Sequence, residues 1–183
     1  MGNRCSYATP GMQWISAGSG IEHAEAGGTP AGLNTTGFQL WLNVPSDKKM
    51  EPPRYGTEPP ENLPLLDVAP GVTARLLGGS ISDARGPFKS IQPIQLVHFE
   101  MGGGASLCHA LPAALDNACV YAFNGSATLD GGKVELRKHD VAKLDASDAN
   151  ARVLAIIAGP DGASISACRR SGCREQRFCP LPC

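Results

Sequence analysis

Between residues 72 and 159 the chain breaks its apolar runs at glycine again and again. Residues 72–77, 94–101, 118–123, 133–136 and 152–158 are apolar or alternating, and Gly78-Gly79, Gly102-Gly103-Gly104, Asn124-Gly125 and Asp130-Gly131-Gly132 stand between them. Short runs of this kind at regular spacing, separated by turn residues, predict strands of a sandwich or barrel. No stretch carries a convincing amphipathic helical pattern. The composition agrees: 42% hydrophobic residues with 22 Gly and 15 Pro in 183 residues fit a turn-rich, mostly β protein.

Prolines divide the chain. Pro52, Pro53, Pro59, Pro60, Pro64 and Pro70 lie close together, and proline at that density excludes a helix and most ladder hydrogen bonding. Residues 51–65 therefore read as a semi-rigid linker. It joins a first β domain over residues 1–50 to a second over residues 66–159. In the first, Gly18-Ser19-Gly20 reads as a turn, and Gln39, Trp41 and Asn43 alternate with Leu40, Leu42 and Val44 as in a two-faced strand. Trp14 and Trp41 read as core or pocket wall. Beyond Gly159 the alternation is lost, and residues 160–183 read as a divergent tail rich in cysteine and arginine.

Charge and cysteine usage narrow the function classes. A net charge of -1 gives no electrostatic reason to bind nucleic acid or an anionic membrane. No apolar run reaches the roughly 18 residues of a membrane span, and no charged-then-apolar leader opens the chain. The expected location is the cytoplasm, the nucleus or both. Met1-Gly2-Asn3-Arg4-Cys5-Ser6 also fits an acylation pattern, so a peripheral membrane location through Gly2 and Cys5 is the alternative. In a reducing compartment the seven cysteines are expected as thiols. The tail spacing Cys168-x4-Cys173-x5-Cys179-x3-Cys183 lacks the paired short spacings of a zinc finger.

The pair with the clearest chemical meaning is His23 and Glu25. Spaced i, i+2 on a strand, they would project from one face and reach one metal ion. An imidazole and a carboxylate suit a mononuclear iron site that keeps a position open.

The surrounding residues carry a resemblance. Gln13-Trp14-Ile15-Ser16-Ala17-Gly18-Ser19-Gly20-Ile21-Glu22-His23-Ala24-Glu25, then Gly37-Phe38-Gln39-Leu40-Trp41-Leu42-Asn43-Val44-Pro45, then Lys48-Lys49-Met50-Glu51-Pro52-Pro53-Arg54-Tyr55 resemble the pirin family of iron-binding double-cupin proteins. The resemblance runs from about Thr9 to Gly159. It implies two cupin-type β-barrels, the first incomplete here, and a mononuclear non-haem Fe(II) centre held by three His and one Glu. His23 and Glu25 match the second ligand motif of that centre. No histidine precedes His23, so the upstream His-x-His pair is missing from these 183 residues. On this reading the chain is an N-terminally truncated member with a divergent tail.

The resemblance implies two functions. One is quercetin 2,3-dioxygenase-type oxidation of a flavonol-like aromatic substrate, with His23 as a metal ligand and Glu25 as both ligand and base. That activity would be impaired without the other two ligands. The other is a non-catalytic protein that binds a protein partner, as a transcription cofactor does, or an inactive fragment. In the second domain Gly103 and His109 keep the first cupin spacing, but Leu111 stands where a second His would be. His109 therefore reads as a strand or loop residue of a metal-free barrel.

Overall fold

The computed structural model describes residues 4–25, 37–112, 114, 115, 117–145, 153–170 and 177–179. The described residues hold fourteen strands. In chain order these are β1 (Met12–Ser16), β2 (Gln39–Trp41), β3 (Arg54–Glu58), β4 (Leu65–Ala69), β5 (Val72–Gly78), β6 (Ser80–Ile81), β7 (Ala84–Arg85), β8 (Ile94–Met101), β9 (Ser106–Ala110), β10 (Asn117–Leu129), β11 (Val134–Leu136), β12 (Val141–Asp145), β13 (Val153–Arg170) and β14 (Arg177–Cys179). The only helical turns among them are short 3-10 segments. The all-β expectation holds. The chain divides into two units, Met1–Pro60 with Cys173–Cys183, and Glu61–Gly172.

The smaller unit has two strand pairs. β1 runs antiparallel to β3 over five residues, from Met12 opposite Glu58 to Ser16 opposite Arg54. Trp14 lies opposite Gly56, and its indole ring fills the space a side chain there would need. Its N–H donates to Glu58 Oε1 at 3.3 Å. β2 pairs with β14. Among this unit's described residues Met12 is the only buried apolar side chain, while Met50 is 75% exposed and Trp41 64%. Trp41 is thus a surface residue, its indole N–H donating to Gln39 Oε1 at 2.9 Å.

The larger unit is built on alternation. β5 buries Val72, Ala74, Leu76 and Gly78 and leaves the residues between them half-exposed. β8 turns Val97, Phe99 and Met101 inward. Its central sheet runs β11-β10-β13-β8-β5-β4, with β12 also on β10 and β9 also on β13. Strands β10 and β13 therefore belong to two sheet layers at once, and they bend where they pass from one to the other. Ala122 pairs with Ile165 and Asn124 with Ser164, which leaves Phe123 as the extra residue of a bulge. Gly125 then faces Ala163 and Ala127 faces Ala158, so that β13 spends residues 159–162 where β10 spends one. Phe99, Leu76, Ile156, Ile165, Val72, Val97 and Val120 fill the space between the layers. Each such side chain gains about 1.5–3 kcal/mol from burial.

Three local expectations need correction. Residues 54–58, placed in the linker, form β3, because that stretch falls between Pro53 and Pro59 and every N–H within it is free to pair. The strand expected to stop at residue 158 runs to Arg170, well into the supposed tail. Its second half does alternate, with Ala163, Ile165 and Ala167 inward, but alanine gives little hydrophobic signal. Asn124-Gly125 is a bulge inside β10 rather than a turn between strands.

Gly125 has φ +67, and a Cβ there would lie 2.1 Å from the Gly162 carbonyl oxygen. Gly131 has a similar φ of +65 with open space around it. Gly125→Ala should therefore cost about 2–3 kcal/mol and Gly131→Ala about 1 kcal/mol, the difference being the backbone collision. Phe99→Ala should cost about 3–5 kcal/mol. Urea titration of the three variants checks the order.

Candidate functional site

His23 and Glu25 follow β1 beyond a tight turn. Gly20 N–H donates to the Ala17 carbonyl at 2.9 Å, Ser19 N–H donates to the Glu51 carbonyl at 2.9 Å, and Gly18 and Gly20 take φ values of 54 and 131. Over residues 21–25 the chain does not resume a strand. Residues 21–25 are irregular, and both His23 and Glu25 are exposed. The shared-face relation expected of a strand pair is not imposed on them by a ladder. The Tyr7 pKa is raised first by its own partial burial and then by the charges of Glu25 and Cys5. Gly2, the other acylation residue, lies outside the described residues.

An iron centre needs more donors than this pair. Among the described residues no three His, Cys, Asp or Glu side chains gather closely enough to hold a metal ion. All four histidines of the chain are described. The three besides His23 lie in the larger unit, and each has a close contact there: His98 with Glu100, His109 with Gln95 and His139 with Tyr121. His23 and Glu25 are of the right chemical type for iron, but the described residues do not complete a centre.

His98 and Glu100 were missed by the sequence reading, although they repeat the His-x-Glu spacing. They sit on the outward face of β8, where i, i+2 residues do share a side. Their side chains meet, with His98 Nε2 2.8 Å from Glu100 Oε1. The contact is an ion pair only when His98 is protonated. Ser164, opposite Glu100 on β13, donates its hydroxyl to Glu100 Oε2 at 2.6 Å. Phe123 presses edge-on against the His98 ring with centroids 4.9 Å apart. Burial pushes the His98 pKa down, Arg75 adds to that, and Glu100 opposes it. The carboxylate stands between serine and imidazole, so this is not a nucleophile activated by a base.

His109 lies on β9 with its side chain buried. Gln95 donates its amide to the Ser80 carbonyl at 2.8 Å, which leaves its Oε1 to accept from His109 Nε2 at 2.9 Å. The Phe99 ring packs edge-on at 5.2 Å. Burial lowers the His109 pKa. The cavity beside Gln95, Ala167 and Leu154 measures about 10 Å³, room for at most about one water molecule. That space beside His109 and Gln95 is too small for an aromatic ligand. On the opposite side, the Tyr121 hydroxyl meets His139 Nδ1 at 3.0 Å.

No family model matches the chain. A Pseudomonas aeruginosa protein provisionally named a quercetin 2,3-dioxygenase is 30% identical over 173 residues, covering 87% of this chain and 60% of its own length. A Caulobacter vibrioides protein named pirin-like is 28% identical over 163 residues, covering 85% of this chain and 58% of its own. The chain thus spans about three fifths of the length of these relatives. The crystal structure of a quercetin 2,3-dioxygenase from Acinetobacter baumannii superposes on 72% of this chain and 44% of its own, with a TM-score of 0.64 and 19% identity. At that identity the match speaks for the fold alone. No helix among the described residues is long and apolar enough to cross a membrane.

The half-buried His98 and the buried His109 predict a pH dependence. Both have folded pKa values below the ordinary 6.5, so below that pH the unfolded chain takes up protons that the folded chain resists. Their contribution is intact above pH 6.5 and is lost as pH falls through the folded values. The urea midpoint should therefore drop between pH 7.5 and 5.5. His109→Gln should flatten that drop even if it lowers the midpoint overall.

Proposed function

We propose that the chain is a pirin-like protein of the cupin fold and that these 183 residues act as a non-catalytic interaction protein carrying half of a mononuclear iron site. The observation that carries this reading is the allocation of its imidazoles. One of four stands beside a carboxylate in the ligand motif, and the other three are engaged in the larger unit. Two donors plus water make a weak, labile site. The exposed Tyr7, Phe38, Trp41, Met50 and Tyr55 of the smaller unit suit contact with a protein partner. The larger unit is a metal-free module whose interior is filled.

A second reading is favoured by the His23-x-Glu25 motif and by the names of the relatives. In it His23 and Glu25 bind Fe(II), Glu25 accepts the proton of a flavonol-like substrate, and the missing ligands come from outside these 183 residues. Bound iron would hold the flavonol oxygens and supply the redox chemistry toward dioxygen.

Anaerobic Fe(II) loading, desalting and elemental analysis separate the two readings. The expected outcome is far less than one iron per chain and no quercetin turnover, unchanged in His23→Ala. One iron per chain that disappears in His23→Ala would overturn the non-catalytic reading and turn attention to dioxygenase activity.

A further inference from the structure

Cys119 and Cys168 are far apart in sequence, yet they are direct register partners on β10 and β13. Both carry thiols, and both are buried, at 8% and 4% exposure. Directly opposed residues of an antiparallel pair have Cα atoms about 4.5 or 5.5 Å apart, depending on the hydrogen-bonding of the rung. Either value falls in the window of about 4.4–6.8 Å that a disulfide spans. The backbone already holds the two residues at bonding separation. The exposed thiols offer a contrast. Cys108 lies opposite Ala155 on the β9–β13 ladder, so it has no sulfur across from it.

We propose that Cys119 and Cys168 form a peroxide-oxidisable dithiol that closes into a cross-strand disulfide between β10 and β13. The Cys119 thiol is the attacking group. A hydrogen bond from the Cys168 side chain holds its pKa below the ordinary thiol value and outweighs the effect of burial, with a further bond from the Cys168 backbone. The Cys119 thiolate attacks one oxygen of hydrogen peroxide. The O–O bond breaks and the leaving oxygen departs as water after taking a proton. The resulting sulfenic acid is attacked by the Cys168 sulfur, its S–O bond breaks, and a second water leaves with the Cys168 proton. Two thiols and one hydrogen peroxide become one disulfide and two waters, with two electrons passing from sulfur to oxygen. A small dithiol reverses the step by exchange.

The position of the pair gives the bond a structural consequence. The β10–β13 ladder ends two rungs further on, at Asn117 opposite Arg170. The larger unit ends two residues beyond Arg170, at Gly172. A bond between the strands would pin these last rungs and close a loop over residues 119–168. Leu96 on β8 and Lys143 on β12 are the next register partners on either side, so the linked strands lie inside the sheet and not at its edge.

The full 183-residue chain treated with hydrogen peroxide, alkylated after denaturation and mapped by mass spectrometry under non-reducing conditions tests this. The expected result is a linked peptide joining Cys119 to Cys168, lost on dithiothreitol treatment. The oxidised protein should melt about 5–10 °C higher than the reduced one. Cys119→Ala and Cys168→Ala should each abolish both effects. The wild-type map decides the matter even if a variant folds poorly. Oxidation of exposed Cys108 in the same sample shows that the oxidant acted. If Cys108 is oxidised while Cys119 and Cys168 are both recovered alkylated, or if either is linked to another cysteine instead, the proposal is overturned.

Discussion

The pairing of β10 with β13 is the contact on which the larger unit rests. These are its two longest strands, and each contributes rungs to both layers of the sheet. A sheet that must fold over its own core needs strands that turn a corner. Here the turn comes from the extra Phe123 and from residues 159–162, which let the ladder break and resume in register. Gly125 sits at that break against the Gly162 carbonyl, closer than any side chain would allow. β8, β9, β11 and β12 all join the sheet through one of these two strands.

Closing the layers this way sets what the barrel can hold. The inward positions carry Val72, Leu76, Val97, Phe99, Ile156 and Ile165, and the buried pair His109 and Gln95 bond to each other and to the Ser80 carbonyl. A buried imidazole held in this way is a structural group. The smaller unit differs in kind. Its described residues bury a single apolar side chain and leave several aromatic ones exposed. The chemistry in His23 and Glu25 thus stands on the less buried part of the chain.

The His-x-Glu spacing occurs twice, and the two copies show how context decides its use. At His98 and Glu100 a strand puts both side chains on one face. With no further ligand there, they contact each other and Ser164. At His23 and Glu25 no strand is present, and the residues are exposed. The spacing alone therefore assigns no role, because the same two residue types meet in one copy and stand exposed in the other.

Much of the architecture was legible from order and pattern. The strands at residues 72–77, 94–101 and 133–136, the glycine turns at residues 102–104 and 130–132, and the all-β class all follow from period-two alternation broken by glycine. These are local properties, encoded within a few residues of where they act. The second half of β13 was hidden because its inward residues include Ala163 and Ala167, whose burial depends on the neighbouring strands and not on their own hydrophobicity. The facing of Cys119 and Cys168, the contact of His98 with Glu100 and Ser164, and the capture of His109 by Gln95 were also invisible. Each depends on register between distant strands, and register is set only when the whole sheet closes over its core. The sequence by itself determined the type of fold and where most strands and glycine turns fall. Tertiary structure alone decided which polar side chains meet, because those meetings are made by long-range pairing.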